Sequence, residues 1–209
     1  MSARFFRLVR ALHRYLGLFL SPFVLVFAIS VIFLTHAWLP RLGPQSTTTR
    51  IVPAFALPGN WSTLSARPLI EALKPGLEQA GVPGEVGFIR YQVKEERLVI
   101  PVTIPGRETI VNLNLTNREA TIVTRETGLA EALVLLHKSP GQHGPAIRMN
   151  WFYMKAWRVA ADATAWLVLF ISLSGVNLWY ALRAGRRTGW MMLGLGALTF
   201  FGMVYALSH

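Results

Sequence analysis

The sequence predicts an α-helical membrane protein with three transmembrane helices and a small periplasmic α+β domain, ordered helix, antiparallel meander, helix. Three observations carry this prediction. Residues 16–34 form an apolar run long enough to cross a bilayer, which takes about 20 residues. Two further apolar stretches, 163–182 and 190–207, lie late in the chain on either side of the basic segment 183–187. Between the first span and the second sits a polar segment with one amphipathic helix and several alternating stretches.

Composition narrows the class. The chain has 209 residues, 53% of them hydrophobic, and no cysteine. Disulfides, thiolate metal ligands and thiol redox chemistry are therefore excluded. The net charge of +11 raises nucleic acid as a partner, but the charge is unevenly placed. From Pro40 to Asn150 there are 12 Lys/Arg against 9 Glu. The other 9 basic residues face one acid, Asp162, and most of them border apolar runs. That is the positive-inside pattern of a membrane protein, not a phosphate-binding stripe, so no nucleic acid is expected.

In chain order, residues 1–39 read as a basic lead-in lying on the cytoplasmic surface, followed by the first transmembrane helix. A cleaved signal peptide is the competing reading. Its apolar region would exceed the usual ~7–15 residues, and Thr35–Ala37 is a weak cleavage motif, so an uncleaved span is expected. Pro22 should free a carbonyl near Leu18 and kink the helix. Residues 40–64, rich in Pro, Thr, Ser and Gly, read as a linker with Trp61 as its large anchor.

Residues 65–138 read as the folded domain. Ser65 is placed to cap a helix reaching Ala80, interrupted at Pro75 and ended by Gly81–Gly84. Strands follow at about 86–93, 98–104, 109–115 and 120–124, with Pro105–Gly106 and Thr116–Asn117 as turns. Ile110, Asn112 and Asn114 alternate with Val111, Leu113 and Leu115. A second helix covers 129–137. Residues 139–153 are a loop, 154–182 the second span and 188–207 the third. This order places the N-terminus in the cytoplasm, and the domain and C-terminus in the periplasm, across a bacterial inner membrane.

Five histidines and one aspartate are the candidates for chemistry. His13 shares a helical face with Gly17 and Ser21, and small residues allow a second helix or a flat ring to approach closely. The competing reading is an interfacial histidine bonded to lipid or backbone. His36 lies 23 residues further on, about 35 Å along an ideal helix, so the two cannot share one metal. In the expected topology His36 instead falls on the outer side with His137, His143 and His209, where two imidazoles could face one iron. The competing readings make His137 a favourable charge at a helix C-terminus, His143 a loop residue and His209 a terminal one. Asp162, four residues after Arg158, is either half of a local ion pair or an acceptor that orients a histidine.

Several short segments together resemble the PepSY-associated transmembrane family. They are Leu12-His13-Arg14-Tyr15-Leu16-Gly17-Leu18, Leu136-His137-Lys138 with Gly141 and His143-Gly144, Asp162, and Ser174-Gly175-Val176-Asn177-Leu178-Trp179. The helix–meander–helix module resembles a PepSY domain. Larger members of that family include ferric-siderophore reductases in which span histidines ligate haem. The resemblance therefore implies haem b as a cofactor, held by some of His13, His36, His137 and His143, with Gly17, Ser21, Arg158 and Asp162 in packing or supporting positions. This chain departs from those members: it is shorter, with three spans, one module and Ser139-Pro140 and Gln142 inserted in the motif.

These readings lead to an accessory or electron-transfer-associated subunit of a membrane complex. The alternatives are a haem-binding ferric-reductase-like electron carrier and, more remotely, a peptidase-regulating PepSY module. No hydrolase motif is present, and no catalytic residue is assigned. The expected partners are the lipid bilayer and other membrane subunits or a second copy of the chain.

Overall fold

The computed structural model describes residues 3–36, 46–139, 147–182 and 185–208. The chain divides into two compact units, Met1–Pro22 with Thr164–His209, and Phe23–Ala163. Among the described residues three helices are long and apolar enough to cross a membrane: α1 (Ala3–Thr35), α4 (Phe152–Leu182) and α5 (Arg186–Ser208). The segment read as a lead-in on the membrane surface is helical and runs without a break into the first span. Helix α1 also runs through Pro22. The Leu18 carbonyl, which Pro22 deprives of its backbone N–H partner, accepts the Ser21 hydroxyl at 2.9 Å instead.

The Phe23–Ala163 unit holds a six-stranded antiparallel sheet. Its strands are β1 (Thr47–Val52), β2 (Glu85–Val86), β3 (Arg90–Gln92), β4 (Arg97–Ile104), β5 (Arg107–Asn114) and β6 (Ala120–Glu126). The order is β1-β6-β5-β4-β2, with β3 also paired to β4. Helices α2 (Ala66–Gln79) and α3 (Gly128–Lys138) complete the module.

The alternation expected in β5 is real: Val111 and Leu113 are fully buried and Ile110 is exposed. Leu98, Ile100, Val102 and Ile122 share the buried set, and α2 adds Ile70, Leu73 and Leu77. Burying an aliphatic side chain of this size contributes about 1.5–3 kcal/mol, which is what holds α2 on the sheet.

Four details differ from the sequence reading. Residues 47–52, expected within a linker, form edge strand β1 against β6. All but one of its residues are exposed, so it shows no apolar alternation. Arg50 on this strand donates to the Ala80 carbonyl at the end of α2. The strand expected at 86–93 is split. Val86 pairs with Val102 and Arg90 with Val99, so three residues (87–89) oppose two (100–101). Pro101 lacks the N–H that a continuous ladder there would use, and a bulge follows.

Ser65 precedes α2 without a side-chain cap bond, and Pro75 lies inside the helix without ending it. Buried Leu73, Gly76 and Leu77 flank the proline and fix the helix by packing. A Cβ on Gly76 would meet the Ala56 carbonyl oxygen at 2.5 Å and the Phe55 ring at 2.7 Å. The C-terminus closes as expected: Gly81 takes φ +63, Val82 N–H bonds the Leu77 carbonyl and Gly81 N–H the Glu78 carbonyl. This is the double hydrogen bond that a left-handed residue makes possible at a helix end.

Candidate functional site

The unit formed by Met1–Pro22 and Thr164–His209 pairs α1 with α4 in antiparallel register. A Cβ on Gly17 would lie 3.8 Å from the Ile171 side chain, and one on Gly175 would lie 3.3 Å from the His13 ring. A Cβ at Gly17 would make ordinary contact, whereas the tighter approach at Gly175 is the one that a glycine eases for the imidazole. His13 Nδ1 lies 2.8 Å from the Ser174 hydroxyl, and Ser174 is buried.

The Ser174 hydroxyl also donates to the Ile171 carbonyl at 3.1 Å. A serine has one hydroxyl proton and a carbonyl can only accept. Both contacts are hydrogen bonds only if His13 donates from Nδ1. In a neutral imidazole that arrangement leaves Nε2 as the lone pair, the form in which an imidazole ligates a metal.

The same arrangement recurs in the other unit. His137, at the end of α3, sets Nδ1 2.9 Å from the Ser30 hydroxyl of α1. Ser30 is 1% exposed and donates to the Phe27 carbonyl at 2.7 Å. By the same proton count His137 donates from Nδ1, and a neutral ring there has its lone pair on Nε2. Phe27 meets the His137 ring edge-on at 5.7 Å and the Trp157 ring at 5.8 Å. Trp157 Nε1–H closes the cluster on the Leu136 carbonyl at 2.8 Å. His137 therefore does more than face a helix end, since Ser30 and Phe27 of α1 both meet its ring.

The remaining candidates are placed as follows. His36 follows α1 with Nδ1 near the Thr35 hydroxyl (2.8 Å) and the Ile32 carbonyl (3.2 Å). His143 and His209 lie outside the described residues. Asp162 sits 4.0 Å from Arg158 and is exposed, which is the local ion pair. Among the described residues, the side chains hydrogen-bonded to His13 and His137 are Ser174 and Ser30. Gly17 packs beside Ile171, and Ser21 serves its own helix. Among the described residues no group of three or more His, Cys, Asp or Glu could hold a metal ion. Ser30 escaped the sequence reading because a lone hydroxyl in an apolar run carries no period; its one signal was being polar there at all.

A second polar cluster ties the sheet to the segment leading into α4. Asn150 is buried and bridges the β2 backbone: Val86 N–H donates to Oδ1 (3.0 Å), and Nδ2 donates to the Val86 carbonyl (2.7 Å). Arg67 donates to the Arg148 and Met149 carbonyls at 2.8 and 2.9 Å. Glu85 Oε1 accepts Met149 N–H at 3.2 Å, while its buried Oε2 has no hydrogen-bond partner among the described residues.

Burial pushes the Glu85 carboxyl above the ordinary carboxylate range, against the Met149 N–H and the Arg148 and Arg67 charges. The folded protein then holds this proton more tightly than the unfolded chain. Its contribution is full below the unfolded value and is lost as pH rises through the raised folded one. Glu85→Gln keeps an acceptor for Met149 and removes the titration. Thermal unfolding of the detergent-solubilised chain should show a melting temperature that falls less between about pH 4 and about pH 7 than in the wild type. Identical slopes would assign the pH dependence to other groups.

Three apolar spans joined to a small antiparallel sheet module define a membrane protein with an α+β domain inserted between its first and second spans. The chain belongs to the PepSY_TM-like family, whose profile matches residues 7–209. No curated protein and no solved structure matches it.

Proposed function

We propose that this PepSY_TM-like membrane protein is an accessory, electron-transfer-associated subunit of an inner-membrane complex, and that His13 and His137 are the residues that would hold haem b, each through Nε2. The observation supporting this is the shared proton arrangement. In both pairs a serine hydroxyl, committed to its own helix, fixes Nδ1–H and frees Nε2. A hydrogen-bond acceptor behind Nδ1 is the usual way a ligating histidine is oriented. The His13 ring lies so close against Gly175 that a Cβ there would sit 3.3 Å from it. Haem at either position would supply one-electron carriage.

Each pair presents a single imidazole, and bis-imidazole ligation takes two. Among the described residues each pair supplies one imidazole, and a second ligand drawn from another subunit or a second copy would suit an accessory role. The arginines at the start of α1 and around the α4–α5 connection support a cytoplasmic N-terminus and a periplasmic sheet module.

The deciding experiment is an optical spectrum of the protein purified from its native membranes with its partners retained, before and after dithionite. The expected result is a b-type α-band that weakens or disappears in His13→Ala or His137→Ala. A band unchanged in both variants, or no band in intact preparations, removes haem ligation by this chain. Stoichiometric partner chains in a colourless preparation would leave the accessory role standing alone.

A further inference from the structure

We infer that the arginine-bearing end of the Met1–Pro22 and Thr164–His209 unit seats the phosphate of an anionic phospholipid. These two segments contain seven arginines and no lysine, aspartate or glutamate. The antiparallel contacts of His13 with Ser174 and of Gly17 with Ile171 set the register. Extended toward the N-terminus, that register brings Arg7 level with about residues 180–181, near the end of α4, and α5 starts four residues after that end, at Arg186. At about 100° per residue, Arg4, Arg7, Arg10 and Arg14 occupy one arc of roughly 120° on α1. All four side chains are exposed, as is Arg187.

Such a cluster repels itself unless an anion joins it. The first turn of α5 adds to the demand: it contains no acid, and its first backbone bond is Gly189 N–H to Gly185, which leaves the N–H groups before it pointing outward. Two of the guanidinium groups are already held in place. Arg186 lies over the Tyr180 ring (4.7 Å) and donates to the Tyr180 carbonyl (3.1 Å). Its buried Nε has no hydrogen-bond partner among the described residues. Arg14 stacks on Tyr15 at 4.8 Å. A stacked guanidinium keeps edge N–H donors for phosphate oxygens.

A lipid fits better than an acidic protein segment because the cationic end runs into exposed apolar surface. Leu8 and Leu12 on α1, and Trp190 and Met191 on α5, are all exposed. A ligand with a phosphate head and hydrocarbon tails matches both parts at once.

The test is native mass spectrometry of the full chain in detergent, with phosphatidylglycerol and phosphatidylcholine of identical acyl chains added in equal amount. The expected result is retention of phosphatidylglycerol on the order of tenfold over phosphatidylcholine. Replacing Arg7, Arg10, Arg186 and Arg187 together with Gln should bring the ratio near one, and replacing them with Lys should preserve part of it. Equal retention by the wild type overturns the inference without recourse to any variant. Undiminished selectivity in the Gln variant places the seat elsewhere and overturns it too. So does displacement of the lipid by an acidic peptide or by inorganic phosphate at matched charge, since the apolar contact would then contribute nothing.

Discussion

Asn150→Ala destabilises the sheet module by about 2–4 kcal/mol, because it strips both hydrogen bonds from a buried stretch of backbone. Val86 is 2% exposed, and its N–H and carbonyl are bonded to the two ends of the Asn150 amide. Each group left unpaired costs about 1–3 kcal/mol. The same amide also bonds the Ile147 carbonyl. Next to it, Met149 holds φ +63 under the grip of Arg67 and Glu85. A non-glycine residue keeps that conformation only while its surroundings impose it, so loosening Asn150 also releases Met149. Asn150→Asp is worse at neutral pH, since it removes the Nδ2 donor and buries a charge. Denaturant unfolding of the detergent-solubilised chain measures the loss, and limited proteolysis should show new cleavage near 147–150. An Asn150→Ala protein within about 0.5 kcal/mol of wild type would mean that water replaces the amide there.

The clasp at Asn150 was invisible in the sequence, and the reason is general. Spans are legible because length and hydropathy are local properties, and 16–34 carries both within a single window. The β5 face is legible because burial on one side imposes a period of two on Val111 and Leu113. Strand β1 has almost no buried side, so Thr47–Val52 shows β-branched residues but no period, and reads as linker. The bulge in the 86–93 region is set by a proline on the neighbouring strand, which a reading of 86–93 alone does not contain.

The site divides in the same way. His13 and its small-residue face could be read from one helix, and His137 from one motif. Their serine partners lie 161 and 107 residues away in sequence. Pairing them takes the helix register, which sequence alone does not supply. Asp162 was the more conspicuous candidate because a charge in an apolar run stands out, whereas a buried hydroxyl costs less and attracts less notice.

Those two serines give the sharpest test of whether the histidines ligate haem. Ser174→Ala removes the acceptor behind His13 Nδ1 and leaves the imidazole itself in place. A neutral imidazole released in this way can take either tautomer, and only one of them presents Nε2 as a lone pair. Loss of a group that orients a metal-bound histidine typically lowers metal affinity by 10–100-fold, and haem retention should fall within about that range. Ser30→Ala should do the same for His137. Thr at either position keeps the hydroxyl and should restore most of the loss, provided its methyl is accommodated. Haem titration of the apo-form, followed by absorbance and by the midpoint potential of whatever remains bound, separates the outcomes. Retained haem with a shifted potential in Ser174→Ala, beside none in His13→Ala, identifies Ser174 as the positioning residue and His13 as the ligand. Wild-type affinity and potential in both serine variants would reduce the pairs to helix-packing hydrogen bonds and leave His13 and His137 without a haem to hold.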